Sequence, residues 1–331
     1  MNFSIIINAY NPNLNCFKRL LDAVKGLDKS DIAFEVLIVD NNSIPALVTL
    51  PIVTELLLTH HCIKIINEIE PGLTAARMCG IKAAKYEWLI FFDDDNEPKF
   101  DYLTVLKQNI IKHQRVAAWG PGNIEVTYMN LHTPKWLDAY KYIFQEQYTD
   151  KTFFGNEVGS QDYYPYGTGL CVAKNVAIEY CKRVENNTYT LTDRKGKSTS
   201  SGGDLQLVLT ATDLGFSVGK IGNLFMKHNI IENKTSILKI CKLIYGLESS
   251  VFPAHAEVLK WDKSKINEFK MISNYDFIKS IYSNFFVKRN GIRKSLINLA
   301  SITGQQQGVA TLKCIPHKAK FIHLATKYFN R

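Results

Sequence analysis

Residues 1–95 alternate between short, uninterrupted apolar runs and longer segments whose apolar residues recur every three or four positions. An uninterrupted apolar run is typical of a strand buried on both faces of a parallel sheet, and the longer repeat is typical of a helix packed on that sheet. The predicted strands cover residues 3–8, 34–39, 62–66 and 88–92, and the predicted helices cover about residues 14–27, 46–57 and 73–84. This order predicts an α/β fold with a parallel sheet flanked by helices.

Polar side chains follow three of the four predicted strands. They are Asn8 with Tyr10, then Asp40, and then the run Asp93–Asp95. Because the carboxyl ends of parallel strands meet at one edge of a sheet, we expect these side chains to line a single ligand crevice. Three adjacent carboxylates repel one another, which favours a divalent cation among them. The alternatives are a solvated acidic turn and the ordinary turn chemistry of Asn and Asp.

The pattern beyond residue 95 is less regular. Helices are predicted over residues 100–113, 175–183 and 204–214, and strands over residues 116–119, 166–173, 216–221 and 224–227, the last ending at His228. Residues 123–165, rich in Tyr, Trp and Asn, are interpreted as acceptor-contacting loops or as packing between elements. Polar residues 185–203 have the composition of a mobile loop. They precede Asp204, which is expected at the start of a helix.

The seven cysteines are scattered and form no C-x-x-C pair, which predicts a reduced protein without disulfides or a zinc site. The N-terminus lacks the basic region of a signal peptide, and no apolar run reaches about 18 residues, so no membrane span is predicted. These features favour a cytoplasmic location.

Positive charge is concentrated in residues 261–331, which contain 13 Lys and Arg against 3 Asp and Glu. Two segments there combine apolar residues at helical spacing with basic ones. The first has Phe277, Ile278, Ile281, Tyr282 and Phe285, followed by Lys288, Arg289, Arg293 and Lys294; the second has Phe321, Ile322, Leu324 and Tyr328 among Lys318, Lys320 and Lys327. Such helices either lie on an anionic membrane surface or pack on the catalytic domain as a bundle with a solvated basic face. The absence of a recognition motif predicts that nucleic acid is not the partner.

Four motifs in order carry a family resemblance: residues 4–11, SIIINAYN; residues 36–43, VLIVDNNS; residues 72–77, GLTAAR; and residues 91–95, FFDDD. Over about residues 1–250 the chain resembles glycosyltransferase family 2, inverting nucleotide-sugar enzymes of the GT-A fold. The resemblance implies a GT-A domain over residues 1–232, with a nucleotide-sugar-binding half (1–120) and an acceptor and catalytic-base half (121–232). A helical, basic region over residues 233–331 would follow.

The resemblance also implies the donor site. Ala9 and Tyr10 would form the wall against the nucleobase, Asp40 would read the base or ribose, and Arg77 would approach the diphosphate, where a planar guanidinium pairs well with phosphate oxygens. The remaining donor-binding residues implied are Asn42, Gly72, Asp93 and Asp94, with Asp94 towards the ribose and Asp93 shaping the turn or binding through water.

Metal and base roles complete the implied site. Asp95 would bind Mn²⁺ or Mg²⁺ bridging the diphosphate, and His228 would be a further metal ligand. Asp204 would be the general base that deprotonates the acceptor hydroxyl. The sequence departs from the family pattern at Gly203, where relatives often carry a second acidic residue.

The predicted function is therefore inverting transfer of a sugar from a nucleotide-sugar donor, UDP-linked in most of the family, to a glycan or lipid-linked hydroxyl in surface polysaccharide synthesis. A peripheral position on the inner face of the membrane is expected from the basic tail. The alternatives are a non-catalytic nucleotide-sugar-binding or scaffold subunit and a sugar-nucleotide pyrophosphorylase. A pyrophosphorylase requires a glycine- and basic-rich loop after the first strand, and a dehydrogenase requires G-x-G-x-x-G there. Residues 8–12, NAYNP, match neither.

Overall fold

The computed structural model describes residues 1–129, 133–159, 161–191, 193–196, 200–287, 291–317 and 319–329. Lys288, Arg289 and Lys318 of the predicted basic segments, and residues 192 and 197–199 of the predicted mobile loop, lie outside these ranges. The chain forms two compact units. The first contains Met1–Glu185 and Leu207–Glu232, and the second contains Asn186–Gln206 and Asn233–Arg331. The predicted domain boundaries, residues 1–232 and 233–331, stay a prediction.

The first unit is built on a mixed sheet whose first half is the predicted parallel one. Its parallel strands are β1 (Phe3–Ala9), β2 (Phe34–Asp40), β3 (Ile63–Asn67) and β4 (Trp88–Asp93). They lie in the order β3-β2-β1-β4, with β1 paired to both β2 and β4. Helices α1 (Leu14–Lys25), α2 (Pro51–Thr59) and α3 (Leu73–Ala83) alternate with these strands, and a 3₁₀ turn at Leu47–Thr49 precedes α2. The predicted α/β arrangement of this region is confirmed.

The small residues of α3 are explained by its close approach to the sheet. A Cβ atom added at Gly80 would lie 2.5 Å from Cγ2 of Ile6 and 3.3 Å from Cγ2 of Val39. Contacts this short require a neighbouring side chain to move, so a side chain at this position would push the helix away from β1 and β2.

The second half of the sheet, beyond β4, is mixed. It contains β5 (Asn96–Pro98), β6 (Val116–Tyr128), β7 (Phe153–Gly155), β8 (Cys171–Ala173) and β9 (Ser217–Ile230). Along the sheet, β8, β6, β9 and β5 follow β4 in that order, and β7 pairs with β9. Strand β8 pairs antiparallel with β4 and β6, and β6 pairs parallel with β9. Helices α4 (Tyr102–Lys112), α5 (Lys174–Glu185) and α6 (Gly203–Asp213) belong to this part of the sequence, with a 3₁₀ helix at Lys135–Phe144.

The sequence prediction was wrong for the last two strands. Residues 217–230 form one 14-residue strand, β9, so His228 lies within a strand instead of following one. The pairing of β9 with β6 shifts register between Pro121 and Asn123, which allows one strand to continue past the glycines and polar residues that suggested a break.

The second unit is helical in its described C-terminal part. Its helices are α7 (Ile237–Leu259), α8 (Lys263–Glu268), α9 (Asn274–Tyr282), α10 (Gly291–Leu312) and α11 (Lys320–Phe329), with a π-helical turn at Ser283–Val287. Within the described residues, no helix is long and apolar enough to cross a membrane.

A small apolar cluster joins α9 to α11. Phe277, Ala319 and Ile322 form its buried centre, and Ile281 packs against them. Ile278 and Tyr282 instead are 47% and 59% exposed, so the apolar side of α9 is divided between this cluster and solvent. The cluster uses a narrow stripe of each helix, and Ile278, Tyr282, Leu324 and Tyr328 outside it are exposed.

A buried lysine sits on β9. Lys220 is 6% exposed, and its Nζ lies 4.5 Å from the ring centroid of Tyr166. Burial lowers the pKa of Lys220 from its ordinary 10.5 to about 8, and the charge of Asp162 opposes this shift. The ring face of Tyr166 supports the ammonium ion by a cation–π contact.

Stability should therefore rise with pH in the window set by Lys220. Between about pH 8 and 10.5 the folded chain has released a proton that the unfolded chain keeps, so the free energy of unfolding increases with pH. We expect Lys220→Met to remove this part of the slope, measured by urea unfolding across the window. Lys112→Met, on the exposed surface of α4, is the control and should leave the slope unchanged. Equal slopes in wild type and Lys220→Met would contradict the prediction.

Candidate active site

The carboxyl ends of β1, β2 and β4 form one edge of the sheet. In the strand registers, Ala9 pairs with Asp40 and Asn8 pairs with Asp93. The predicted polar clusters therefore lie side by side. Ala9 is 3% exposed and Tyr10 is 64% exposed, so the first loop presents the tyrosine ring to solvent. The Oδ1 atom of Asn8 is buried and accepts no hydrogen bond from the described residues.

Asp40 organises the loop that follows β2. Its Oδ1 accepts a hydrogen bond from the backbone N–H of Ser43 at 2.9 Å, and its Oδ2 accepts one from the N–H of Leu47 at 2.7 Å. The carboxylate is 3% exposed. Both oxygens thus hold the chain as it turns towards α2. The assigned role of Asp40 in reading the base or ribose stays a prediction.

Asn41 connects this loop to the start of α3. Its Nδ2 donates to the carbonyl oxygens of Glu68 and Glu70, at 3.0 and 2.7 Å, and its Oδ1 accepts from the N–H of Gly72 at 2.8 Å. Gly72 has a φ of +126°, a conformation open mainly to glycine, and it caps α3. Asn42, also assigned to the donor site, has a φ of +65° and donates to the carbonyl of Ile69 at 3.0 Å.

A similar bond network ties the first loop to the second. The N–H of Asn11 donates to Oγ of Ser43 at 3.0 Å, and Oδ1 of Asn11 accepts from the N–H of Ile44 at 2.8 Å. The loops after β1 and β2 and the start of α3 are thereby fixed to one another by side chains.

The three aspartates differ in exposure. Asp93 is exposed, Asp94 is half-buried and Asp95 is 5% exposed. Asn96 closes the turn around them: its Oδ1 accepts from the N–H of Asp93 at 3.1 Å, and its Nδ2 donates to Oδ1 of Asp95 at 3.3 Å. Asp95 is therefore the member of the run that is held on the inside of the turn.

His228 meets Asp95 across the β5–β9 pair. Nε2 of His228 lies 3.3 Å from Oδ1 of Asp95, and Nδ1 lies 2.9 Å from the carbonyl oxygen of Phe144. A carbonyl oxygen only accepts, so Nδ1 carries a proton and donates it to Phe144. In the neutral ring Nε2 then presents a lone pair towards a carboxylate, an arrangement that a cation between the two atoms stabilises. A backbone carbonyl on the second ring nitrogen is the usual support of a metal-binding histidine.

These donors fit a hard divalent cation of the Mn²⁺ or Mg²⁺ type. A carboxylate oxygen with an imidazole nitrogen suits Mn²⁺, and Mg²⁺ in nucleotide sites is held by one or two carboxylates together with substrate phosphates. Within the described residues, no group of three or more His, Cys, Asp or Glu side chains lies close enough to hold a metal ion. The pair therefore matches a metal shared with a bound phosphate ligand better than a closed protein cage.

Arg77 lies in α3 and is 4% exposed. Burial raises the pKa of the neighbouring Cys181 thiol to about 12, and the charges of Lys82 and Arg77 act against this rise. The guanidinium is thus near α5. Its assigned role beside a diphosphate stays a prediction.

Asp204 belongs to the second unit, in the first turn of α6, and is half-buried. The chain on either side of it is held by α7: the N–H of Ser201 donates to Oγ of Ser250 at 3.1 Å, and Nε2 of Gln206 donates to Oε2 of Glu257 at 2.6 Å. Glu257 also accepts from the N–H and Oγ1 of Thr190, at 3.0 and 2.6 Å. Asp204 therefore stands on an anchored turn.

Sequence reasoning missed the residues that support the site. Asn41 was visible only as part of an Asn-rich turn, and Asn96 as the residue after the aspartates. Phe144 contributes through its backbone carbonyl, and Glu257 lies about 50 residues from the turn it fixes; for these two the sequence contained no signal.

The order of strands, the mixed sheet and the aspartate turn at its carboxyl edge define a GT-A fold. Residues 4–162 match the family model described as glycosyl transferase family 2. This part of the chain belongs to glycosyltransferase family 2, and the prediction from the four motifs is confirmed.

Solved structures similar to the chain include S. aureus TarS, at 15% identity and a TM-score of 0.49, over 94% of this chain and 55% of TarS. The chain thus spans about half the length of that protein. TarS 1-349 in complex with UDP-GlcNAc is 15% identical over 96% of this chain and 93% of TarS 1-349, with a TM-score of 0.48. GalNAc-T7, solved with UDP, GalNAc and Mn²⁺, is 13% identical over 81% of this chain and 53% of GalNAc-T7, with a TM-score of 0.50. The search of curated proteins gave no match.

Asn41 should be worth more to stability than its size suggests. Asn41→Ala leaves two carbonyls and the Gly72 N–H without their partner, and we expect a loss of about 2–4 kcal/mol in the free energy of unfolding, measured in urea. Asn67→Ala is the matched control, because Asn67 is exposed at the end of β3. A loss in Asn41→Ala no larger than in Asn67→Ala would show that the side chain does not hold the loops.

Proposed function

We propose that the protein is an inverting glycosyltransferase that moves a sugar from a UDP-sugar to a hydroxyl of a glycan or lipid-linked acceptor. The observation that carries the proposal is the approach of His228 to Asp95 at the carboxyl edge of the sheet, next to a segment of family 2 sequence. That edge is where ligands bind in open α/β sheets.

The donor would lie along this edge. The ring of Tyr10 is exposed and available to cover a nucleobase, and the free Oδ1 of Asn8 is available to accept a hydrogen bond from one. Gly72 opens α3, whose first backbone N–H groups and dipole favour a phosphate group. Arg77, one turn further on, supplies the positive charge proposed for the diphosphate. The loop network around Asn41 would keep these parts in place before the donor arrives, so that less ordering accompanies binding.

Asp95 and His228 would hold Mn²⁺ or Mg²⁺ together with the diphosphate oxygens. When bound, such a cation acts as a Lewis acid that neutralises charge on the leaving diphosphate. GalNAc-T7, of similar fold, was solved with UDP, GalNAc and Mn²⁺; for the present chain we propose the same class of donor and metal. Asp94, half-buried in the turn, is proposed to face the ribose.

Asp204 is proposed as the general base. The acceptor oxygen forms a bond to the anomeric carbon as the bond from that carbon to the diphosphate oxygen breaks, and the electron pair leaves with the diphosphate. The hydroxyl proton passes to the Asp204 carboxylate. A single displacement of this kind inverts the anomeric centre. Ser250 and Glu257 fix the turn that presents this carboxylate.

We further propose that the protein works at the inner face of a membrane, on a lipid-linked acceptor of surface polysaccharide synthesis. On α11, Phe321, Leu324 and Tyr328 are 49%, 61% and 58% exposed at a spacing that aligns them along one side of the helix. On α9, Tyr275 is 73% exposed. Exposed aromatic and aliphatic side chains among lysines favour insertion into an anionic lipid surface.

The separate roles proposed for Asp95, as metal ligand, and Asp204, as general base, are testable. Asp95→Ala and Asp204→Asn should each reduce transfer by about 10²-fold or more, because each removes a group that acts in the transition state. The rise in melting temperature with UDP-, GDP- and dTDP-sugars, measured with and without Mn²⁺, should identify the donor. Asp95→Ala should lose the Mn²⁺-dependent part of that rise, and Asp204→Asn should keep it.

The control for charge removal alone is Asp138→Asn, a change outside the proposed site. Transfer by Asp204→Asn at the wild-type rate would refute its role as base, and Mn²⁺-dependent stabilisation that survives in Asp95→Ala would refute the metal assignment. Donor binding without transfer in the wild type, across acceptors of both classes, would favour a non-catalytic binding subunit.

Membrane association makes a separate prediction. The double substitution Phe321→Ser and Leu324→Ser should weaken binding to anionic vesicles by about tenfold or more, because two apolar side chains no longer leave water. Leu58→Ser, on a residue 75% exposed in the first unit, is the control. Binding should also fall as salt concentration rises. Equal vesicle binding by the double variant and the control would rule out α11 as the contact.

A further inference from the structure

A cavity of about 720 Å³ lies in the second unit beside α10 and α11. Six polar side chains line it: Gln307, Thr311, His317, His323, Thr326 and Lys327. None of the residues that line it is acidic. The cavity is made entirely of residues from the second unit, and none of them has a part in the chemistry proposed above.

Two polar atoms in this cavity are buried without a partner. They are Nδ1 of His317 and Oγ1 of Thr326, which accept from and donate to none of the described residues. Thr326 is 8% exposed, so its hydroxyl has lost water without a replacement. Buried polar atoms in this state cost free energy, and they commonly mark a place where a ligand or ion completes the bonding.

The hydrogen bonds of His317 define what it can offer. Its Nε2 lies 3.2 Å from Oε1 of Gln307, which accepts, so Nε2 carries a proton. Nε2 is therefore engaged, and Nδ1 becomes a second donor on protonation. Burial, and after it the charge of His323, lowers the pKa of His317. A negative charge in the cavity would favour the protonated ring and so oppose both effects.

The cavity is lined by basic side chains and by no acidic one. His323 and Lys327 are exposed at the cavity, on the first and last turns of α11, and residues 277–331 contain no aspartate or glutamate. No acidic side chain of these residues can therefore pair with them. A group with several acceptor oxygens and more than one negative charge would satisfy these side chains and the unpartnered hydroxyl at once.

We propose that the cavity beside α10 and α11 binds a phosphate group, with Lys327 as its cationic contact, the imidazoles of His323 and His317 as further nitrogen contacts, and Thr326 as a hydroxyl donor. The volume exceeds that of a phosphate ion, so the site has room for part of the molecule that carries the group. The source is either a soluble phosphate ester or the headgroup of a phospholipid, since the exposed apolar residues of α11 are on the same helix. The proposal is independent of the glycosyl-transfer chemistry.

The test uses the full chain and inorganic phosphate, titrated by isothermal calorimetry at constant ionic strength. Lys327→Met and Thr326→Val should each weaken phosphate binding, the first by about tenfold because it removes a charge-assisted hydrogen bond. Thr326→Val removes an unpartnered hydroxyl at nearly constant volume, so its melting temperature should be unchanged or higher. Lys320→Met is the matched control, because Lys320 has the same charge on the same helix and does not line the cavity.

A second arm separates the two sources. Vesicles of phosphatidylcholine with and without phosphatidic acid are sedimented with each variant. If Lys327→Met, but not Lys320→Met, weakens phosphatidic acid binding and inorganic phosphate competes, the site takes a lipid headgroup. If phosphate binding depends on Lys327 while vesicle binding does not, the site takes a soluble ester. Absence of calorimetric phosphate binding to the wild type, or equal affinity in Lys327→Met and Lys320→Met, would overturn the proposal.

Discussion

The structure depends on the position of β1 between two parallel partners. Ile5, Ile6 and Ile7 are fully buried, so both faces of the strand are packed, and a shift of one residue would exchange the side chains that meet each face. The register is therefore strongly determined, and with it the neighbours of each strand end. In this register Ala9 meets Asp40, and Asn8 meets Asp93. A hydrophobic constraint thus sets the positions of polar groups that themselves contribute little to the core.

At the sheet edge the loops are held by side-chain hydrogen bonds, whereas within the sheet the strands are held by backbone pairing. Asp40 and Asn41 together accept or donate five hydrogen bonds to backbone groups, so two consecutive residues hold one loop and the entry to a helix. A side chain is bonded to a backbone group at His228 as well. One of its ring nitrogens donates to the carbonyl of Phe144, and the other faces Asp95. A residue predicted as a ligand-binding group can therefore have its side chain bonded within a loop, as Asp40 does, while a neighbour such as Asn41 fixes that loop to the next helix.

The parallel half of the sheet could be predicted because its strands are short and apolar. The segments between them show the helical repeat and are bounded by turn residues. Strand β9 could not be predicted, because its 14 residues contain glycines and polar side chains whose tolerance depends on a register shift in β6. The sequence also left open which apolar side chains of α9 pack, because one helical repeat describes both the stripe that packs and the stripe that is exposed, and only a neighbour such as Ile322 on α11 distinguishes them. Contacts made by backbone atoms, such as the carbonyl of Phe144, do not depend on the residue type and so cannot be predicted from the sequence.

The chain passes between its two units three times, after Glu185, within α6 after Gln206, and after Glu232. The turn that presents Asp204 consequently depends on Ser250 and Glu257, which come later in the chain. A gene fragment that ends at residue 232 would encode every residue of the proposed site and still lack the groups that hold Asp204 in place. The C-terminal helices can therefore not be exchanged between relatives as an independent module. Any recombination there must conserve the match between residues 186–206 and α7, which ties the evolution of the tail to that of the turn that carries Asp204.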